Sequence, residues 1–180
     1  SWINTFENAL FSNDYTNSQG VRYNEYIDLN SFTDFLLINE LSKNSDGYKL
    51  SSYIHKDKDS KGGKLVAGPI WDFDQTYGMS RVCSNDDPTG WTYLQNQNEC
   101  EDLESMPLWW QEMMSDELFR NHLKCRWETL RETSFDKDSL NNWIDFHVDF
   151  IEEAIDRNFT VWDYFIGNSI WIEPEPIPET

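Results

Sequence analysis

Two aspartates, Asp72 and Asp74, lie two residues apart in the run GPIWDFDQTYG at residues 68–78. An apolar segment precedes them and a glycine follows, which is typical of the end of a β-strand. Residues i and i+2 of a strand point to the same side, so the two carboxylates would share one face. Two anionic oxygen ligands suit a magnesium or calcium ion. An acidic turn explains the same residues equally well.

A third aspartate, Asp46, follows a predicted buried helix in the turn Lys-Asn-Ser-Asp-Gly. Phosphoryl transfer needs a carboxylate that accepts the proton of the attacking hydroxyl group, and the end of a rigid helix would hold one in place. Asp-Gly turns are frequent, however, so the residues of this turn alone favour a structural role for Asp46.

The wider context of these aspartates is more specific. The segment LSKNSDGYKLSSYIHKD at residues 41–57, followed by Gly-Lys-Leu and the GPIWDFD run, resembles the CotH kinase family, the spore coat protein H-like atypical protein kinases. Similar residues recur at 107–110, 126–127 and 154–159 and at Trp162. The resemblance therefore covers nearly the whole chain.

This resemblance implies a role for each candidate site residue. Asp46 matches the catalytic aspartate, and Asp72 is the expected principal metal ligand, with Asp74 as a second ligand or a supporting group; the order of these two stays open. Where kinase-like sites commonly place a metal-binding Asn, this chain has Ser51, a weaker ligand that we expect to act through water. The implied cofactors are ATP and Mg2+, or Mn2+ or Ca2+ in its place.

Length and charge limit the classes of partner. The chain has 180 residues, enough for one domain, and a net charge of −19, which makes nucleic acid an improbable partner because phosphates would be repelled. No run approaches the roughly 20 apolar residues of a membrane span. A chain that begins at Ser1 inside a helical pattern is expected to come from a longer precursor. The resemblance favours an extracellular or cell-surface protein that acts on a protein substrate or binds a surface partner.

Three cysteines give an odd count. Cys83 and Cys100 bracket a polar loop, and we predict a disulfide between them, which would stabilise the chain by about 3 kcal/mol. Cys125 lies in a helical pattern and is predicted to be a buried thiol.

Apolar spacing predicts an α+β fold that is predominantly α, with one short β-hairpin carrying the acidic site. The predicted helices span residues 1–12, 28–43, 105–115, 116–132 and 137–157, the predicted strands span 50–55 and 64–71, and a long polar loop spans 79–104. A capping box formed by Ser31 and Asp34 is one candidate start for the second helix.

No Gly-rich phosphate loop occurs in the sequence, and nothing before residue 50 is typical of a sheet. By resemblance, residues 1–172 therefore form the C-terminal-lobe-like portion of a CotH kinase domain whose N-terminal lobe is absent from this chain. Residues 173–180 are a Pro- and Glu-rich tail.

Other residues favour structural roles. We predict that the lysines of the hairpin belong to a solvated turn and that His55 packs or forms a hydrogen bond. Five tryptophans are predicted to pack between helices: Trp109, Trp110, Trp127, Trp143 and Trp162.

Three functions remain in competition. The first is an ATP-dependent protein Ser/Thr kinase. The second is a catalytically silent, surface-displayed interaction or adhesion module on the same scaffold. The third is a structural domain in which a calcium ion, held by carboxylates alone, stabilises the hairpin.

Overall fold

A computed structural model describes residues 1–79, 86–97 and 106–162. The predicted Cys83–Cys100 disulfide and the tail at 173–180 lie outside the described residues. The chain divides into two compact units, Ser1–Lys124 and Cys125–Thr180.

Five α-helices and one small sheet make up the regular structure of the described residues. The helices are α1 (Trp2–Leu10), α2 (Leu29–Ser42), α3 (Leu108–Ser115), α4 (Glu117–Arg131) and α5 (Lys137–Val161), and the strands are β1 (Ile54–Lys56) and β2 (Leu65–Ala67). Short 3-10 helices occur at Tyr23–Glu25, Asp59–Lys61 and Thr92–Gln97. The prediction of a mostly helical α+β fold with a two-stranded antiparallel sheet is confirmed.

The core of the first unit is aromatic. Trp110 of α3 is 2% exposed and stacks on Phe35 of α2, with ring centroids 5.5 Å apart. The same indole lies 5.6 Å from the ring of Phe32 and 5.1 Å from that of Tyr48. Full burial of each large apolar side chain contributes about 1.5–3 kcal/mol, so this cluster is a principal reason why α2 and α3 pack together.

The start of α2 differs from the predicted capping box. Asp28 is the N-cap, and its side chain accepts the backbone N–H of Ser31 at 2.9 Å. The Ser31 hydroxyl instead accepts the backbone N–H of Ala67 in β2 at 3.1 Å. Ser31 therefore bonds to β2 and does not cap the helix, which begins at Leu29.

Strands β1 and β2 pair in an antiparallel register that places His55 opposite Val66. The backbone of Leu65 also bonds to the segment before α2, since its N–H donates to Tyr26 O at 2.8 Å and its carbonyl accepts from Asp28 N at 2.7 Å. Both strands are shorter than predicted. After Ala67 the backbone turns at Gly68, which has a φ of +118° and precedes a cis peptide bond to Pro69.

The second unit contains the end of α4 and all of α5. Asp136 caps α5 by accepting the N–H groups of Asp138 and Ser139. None of the residues of α5 is buried, and Trp143 is 60% exposed. Trp162 is also exposed, so the prediction that these two tryptophans pack between helices is wrong. The apolar spacing indicated an amphipathic helix correctly but could not show whether another element covers its face.

Cys125 is a free and exposed cysteine, which contradicts the prediction of a buried thiol. The helical pattern around Cys125 predicted the helix correctly but could not show that this residue lies on its exposed side. Among residues 1–79, 86–97 and 106–162, no helix combines the length and apolar character needed to cross a membrane.

Candidate functional site

The candidate residues lie in the first unit, where the C-terminal end of α2 meets the loop at residues 68–78. This loop is anchored at both ends by backbone hydrogen bonds. The Gly68 N–H donates to Tyr53 O at 2.8 Å, and the Tyr77 N–H donates to Ser42 O, the last residue of α2, also at 2.8 Å. The loop that carries Asp72 and Asp74 is therefore tied to both the hairpin and α2.

Asp46 lies in a compact turn that follows α2. Lys43, which has a φ of +56°, is the C-cap of α2, and the N–H of Asp46 then donates to the Asn44 side chain at 3.2 Å. The carbonyl of Asp46 accepts two N–H groups, from Lys49 at 3.1 Å and from Ser51 at 2.8 Å. These backbone bonds hold the main chain of Asp46 in the turn.

Ser51 connects this turn to the acidic loop. It is 7% exposed, and its hydroxyl donates to Asp72 Oδ2 at 3.0 Å. Because its N–H bonds to Asp46 O, one residue joins Asp46 and Asp72. Asp72 itself is exposed and has a φ of +65°, a backbone conformation that Asp tolerates better than most residues.

Asp74 is also exposed. Within the described part of the chain, no group of three or more His, Cys, Asp or Glu side chains is arranged to hold a metal ion. The three aspartates therefore do not form a three-carboxylate metal cluster. Closely spaced carboxylates repel one another, which opposes such a cluster when no cation lies between them.

The donor set still fits one kind of ion. Magnesium usually binds to one or two carboxylates, and substrate phosphates and water complete its coordination, whereas calcium takes six to eight oxygen ligands. Two carboxylates on one loop, Asp72 and Asp74, match the first pattern, and the Ser51 hydroxyl lies 3.0 Å from Asp72 Oδ2. A calcium ion held by carboxylates alone would need more oxygen donors than this loop provides.

Exposed apolar side chains border the acidic loop. Trp71 and Tyr53 make an edge-to-face contact with ring centroids 6.3 Å apart. We call the exposed set the aromatic rim; it comprises Leu50, Tyr53, Ile70, Trp71 and Tyr77. Sequence reasoning placed Ile70 and Trp71 in a strand and missed the rim. The Gly68-Pro69 pair was the available signal, since proline cannot donate to a strand ladder.

The hairpin lysines are engaged locally. Lys56 pairs with Asp59 at 2.8 Å and Lys61 pairs with Asp57 at 3.3 Å. His55 is a hydrogen-bonding residue, as predicted, because its Nδ1 lies 3.2 Å from Gly68 O.

Gly47 allows the Asp46 turn to pass close to α2. A Cβ at this position would lie 1.9 Å from Asn39 Oδ1, well inside van der Waals contact. Asn39 is buried, and its amide nitrogen donates to Phe35 O at 2.8 Å. Its side chain therefore cannot easily move away from residue 47.

We therefore expect Gly47→Ala to lower the free energy of unfolding by about 1–3 kcal/mol, the usual cost of overpacking. Chemical denaturation measures this change. In a chain that already carries Asn39→Ala, Gly47→Ala should cost less stability than it does in the wild type, because the blocking amide is absent. A Gly47→Ala protein as stable as the wild type would contradict the close approach.

The geometry can be compared with known proteins. A family model described as CotH kinase protein matches residues 1–175. No curated protein matches the chain. No solved structure matches it either.

Proposed function

Because the chain belongs to the CotH kinase family, we propose that it is the catalytic part of an atypical protein kinase that transfers the γ-phosphoryl group of ATP to a Ser or Thr hydroxyl of a protein. One observation carries this proposal: Ser51 bonds to the backbone of Asp46 and to the carboxylate of Asp72. The expected proton acceptor and the expected metal ligand are thereby held in a single network.

Each side chain then has a role in the transfer. Asp46 accepts the proton of the attacking hydroxyl group. Asp72 and Asp74 would hold a magnesium ion, which when bound would neutralise charge on the phosphates. Ser51 orients Asp72 by its hydrogen bond, which explains how a serine can occupy a position where kinase-like sites commonly have Asn.

We place residues 1–172 in a kinase-like C-terminal lobe, with residues 173–180 as a tail. In this proposal another part of the protein supplies the lobe that clamps ATP. The 180-residue chain alone should then have little or no transfer activity. Transfer and nucleotide binding are therefore both to be measured with the chain joined to that lobe.

The aromatic rim favours a second candidate function, an interaction or adhesion module at the cell surface. Exposed apolar clusters often mark binding surfaces. The discriminating experiment measures incorporation of γ-phosphate from ATP into protein, with and without Mg2+. Metal-dependent incorporation supports the kinase, whereas binding of a partner without incorporation supports the module.

Ser51→Ala provides a test of the network itself. Loss of the hydroxyl should weaken Mg2+-dependent nucleotide binding by about 10–100-fold, the usual effect of removing a group that orients a metal ligand. Isothermal titration calorimetry with ATP at several Mg2+ concentrations measures this change. Ser52→Ala is the matched control, because the Ser52 hydroxyl donates to Lys49 O and bonds to neither aspartate. Equal binding by wild type and Ser51→Ala would remove Ser51 from the site.

A further inference from the structure

A carboxylate outside the aspartate network joins two segments of the first unit. The first is the 86–97 segment, part of the predicted polar loop. Glu40 of α2 accepts the N–H of Thr92 on Oε2 at 2.7 Å and the N–H of Tyr93 on Oε1 at 2.9 Å. Next to it, Lys43 Nζ donates to Thr89 O at 2.8 Å. The segment is thus held against the end of α2.

The second segment is the turn that carries Asp46. Tyr48, two residues further along, is 1% exposed, and its hydroxyl donates to Glu40 Oε1 at 2.8 Å. The Tyr48 ring packs on Trp110 and Phe35, which holds the hydroxyl beside Glu40 Oε1 and also within 3.2 Å of Leu36 O. A single carboxylate therefore accepts hydrogen bonds from the Asp46 turn and from the 86–97 segment.

This arrangement is costly unless all of its bonds are made. Burial raises the pKa of Glu40, and the bonds from Tyr48, Thr92 and Tyr93, together with the nearby charge of Lys43, act in the opposite direction. A buried carboxylate that loses a donor keeps its desolvation cost. If either segment moves away from Glu40, the hydrogen bonds between Glu40 and the other segment should therefore become weaker.

We propose that Glu40 is a positioning residue for the candidate site, coupling the Asp46 turn to the 86–97 segment so that docking of this segment determines where Asp46 lies. The effect on catalysis rests on the proposed kinase function. The coupling between the two segments does not.

Glu40→Gln tests the coupling. Glutamine preserves the shape of the side chain and one acceptor oxygen. In place of the other oxygen it has an NH2 group, which would face a backbone N–H that a carboxylate oxygen accepts in the wild type. We expect the amides of Thr92 and Tyr93 and those of Lys49 and Ser51 to exchange with deuterium about tenfold faster, as loss of one net hydrogen bond would produce.

Two further variants separate the two arms of the coupling. Tyr48→Phe removes the hydroxyl that bonds to Glu40 and Leu36 O, and Lys43→Met removes the ammonium group that bonds to Thr89 O and Gly90 O. Each should accelerate exchange mainly in its own segment, with a smaller change in the other. Glu25→Gln, the same substitution at an exposed position of the same unit, should change neither. If Glu40→Gln accelerates exchange in one segment alone, or in none, the coupling is overturned.

The pH dependence of the free energy of unfolding gives a further test, because a variant that only loses packing would not change it. Because the pKa of Glu40 is raised in the folded protein, the folded state binds more protons than the unfolded state between the ordinary and the raised value. The free energy of unfolding should fall as pH rises through this window. Lys43, Tyr48 and Tyr93 face the carboxylate, and burial together with the charge of Glu40 raises the pKa of both tyrosines above their ordinary values, so neither titrates in this window. Glu40→Gln should flatten this slope; an unchanged slope would refute the assignment.

The catalytic consequence has its own measurement. In a protein that transfers phosphate, Glu40→Gln should lower kcat and leave the KM for ATP unchanged, because Ser51 and Asp72 do not bond to Glu40. An unchanged kcat would overturn the positioning role. If the wild type transfers no phosphate, the proposed kinase function and this catalytic role both fail, while the exchange pattern still decides the coupling.

Discussion

Replacing Asp72 with Asn should abolish Mg2+-dependent phosphoryl transfer, with a loss of at least about 1000-fold, since a bound metal stabilises phosphoryl charge by several kcal/mol. The change should leave the fold intact. Asn has nearly the same shape, its carbonyl oxygen can accept the Ser51 hydroxyl, and it tolerates the positive φ at this position. The measurement is transfer of labelled γ-phosphate, with thermal unfolding recorded on the same preparation.

Asp57→Asn is the matched control for this experiment. Asp57 is exposed in the hairpin turn of the same unit, where it pairs with Lys61. Exposed pairs contribute little, about 0–1 kcal/mol, so neither stability nor transfer should change greatly. Wild-type transfer by the Asp72→Asn protein would show that this carboxylate does not hold the metal. The kinase proposal would then lose its main support.

Replacing Asp46 with Asn should lower kcat by about 100- to 10,000-fold, the usual contribution of a general base. Nucleotide affinity should stay near the wild-type value, because Asp72 and Ser51 are unchanged. The turn should also persist, since the bonds from Lys49 and Ser51 end on the backbone carbonyl of Asp46 and not on its side chain. Steady-state kinetics give kcat, and calorimetry gives the affinity for Mg2+ and ATP.

The two substitutions differ in what they remove, and the comparison tests the assigned roles. If Asp46→Asn weakens nucleotide binding as much as Asp72→Asn does, Asp46 takes part in binding and not in proton transfer. If neither substitution affects an active protein, the candidate site is wrong. In an inactive protein that binds a partner through the aromatic rim, the interaction module becomes the better description.

Local pattern was sufficient to predict the positions of the elements. The predicted helix at 28–43 became α2 at Leu29–Ser42, the predicted strand at 64–71 contains β2, and the predicted strand at 50–55 overlaps β1 at Ile54–Lys56. These elements depend on the spacing of apolar residues within a few turns of chain, which is visible in one sequence. The types of the candidate residues, and the role that each could take, were also visible there.

Properties that depend on distant partners could not be predicted. Ser31 bonds to β2 instead of capping α2, and Trp143 is exposed on a helix of the predicted position. Glu40 looked like any charged residue of a helix, yet it is directed at backbone groups about fifty residues further along the chain. Ser51 was expected to contact a metal through water, and its direct bond to Asp72 appears only in the fold.

The aromatic cluster around Trp110 has a consequence for the order in which the protein is made. The hydrogen bonds that tie Asp46, Asp72 and Glu40 together involve only residues up to Tyr93, so they can form once that stretch has left the ribosome. The ring of Tyr48, however, stays uncovered until Trp110 follows. At about 5–20 residues per second this delay lasts about 1–3 s. During that interval the nascent chain exposes the aromatic rings of Tyr48 and Phe35, and a chaperone that recognises aromatic side chains has that long to bind them.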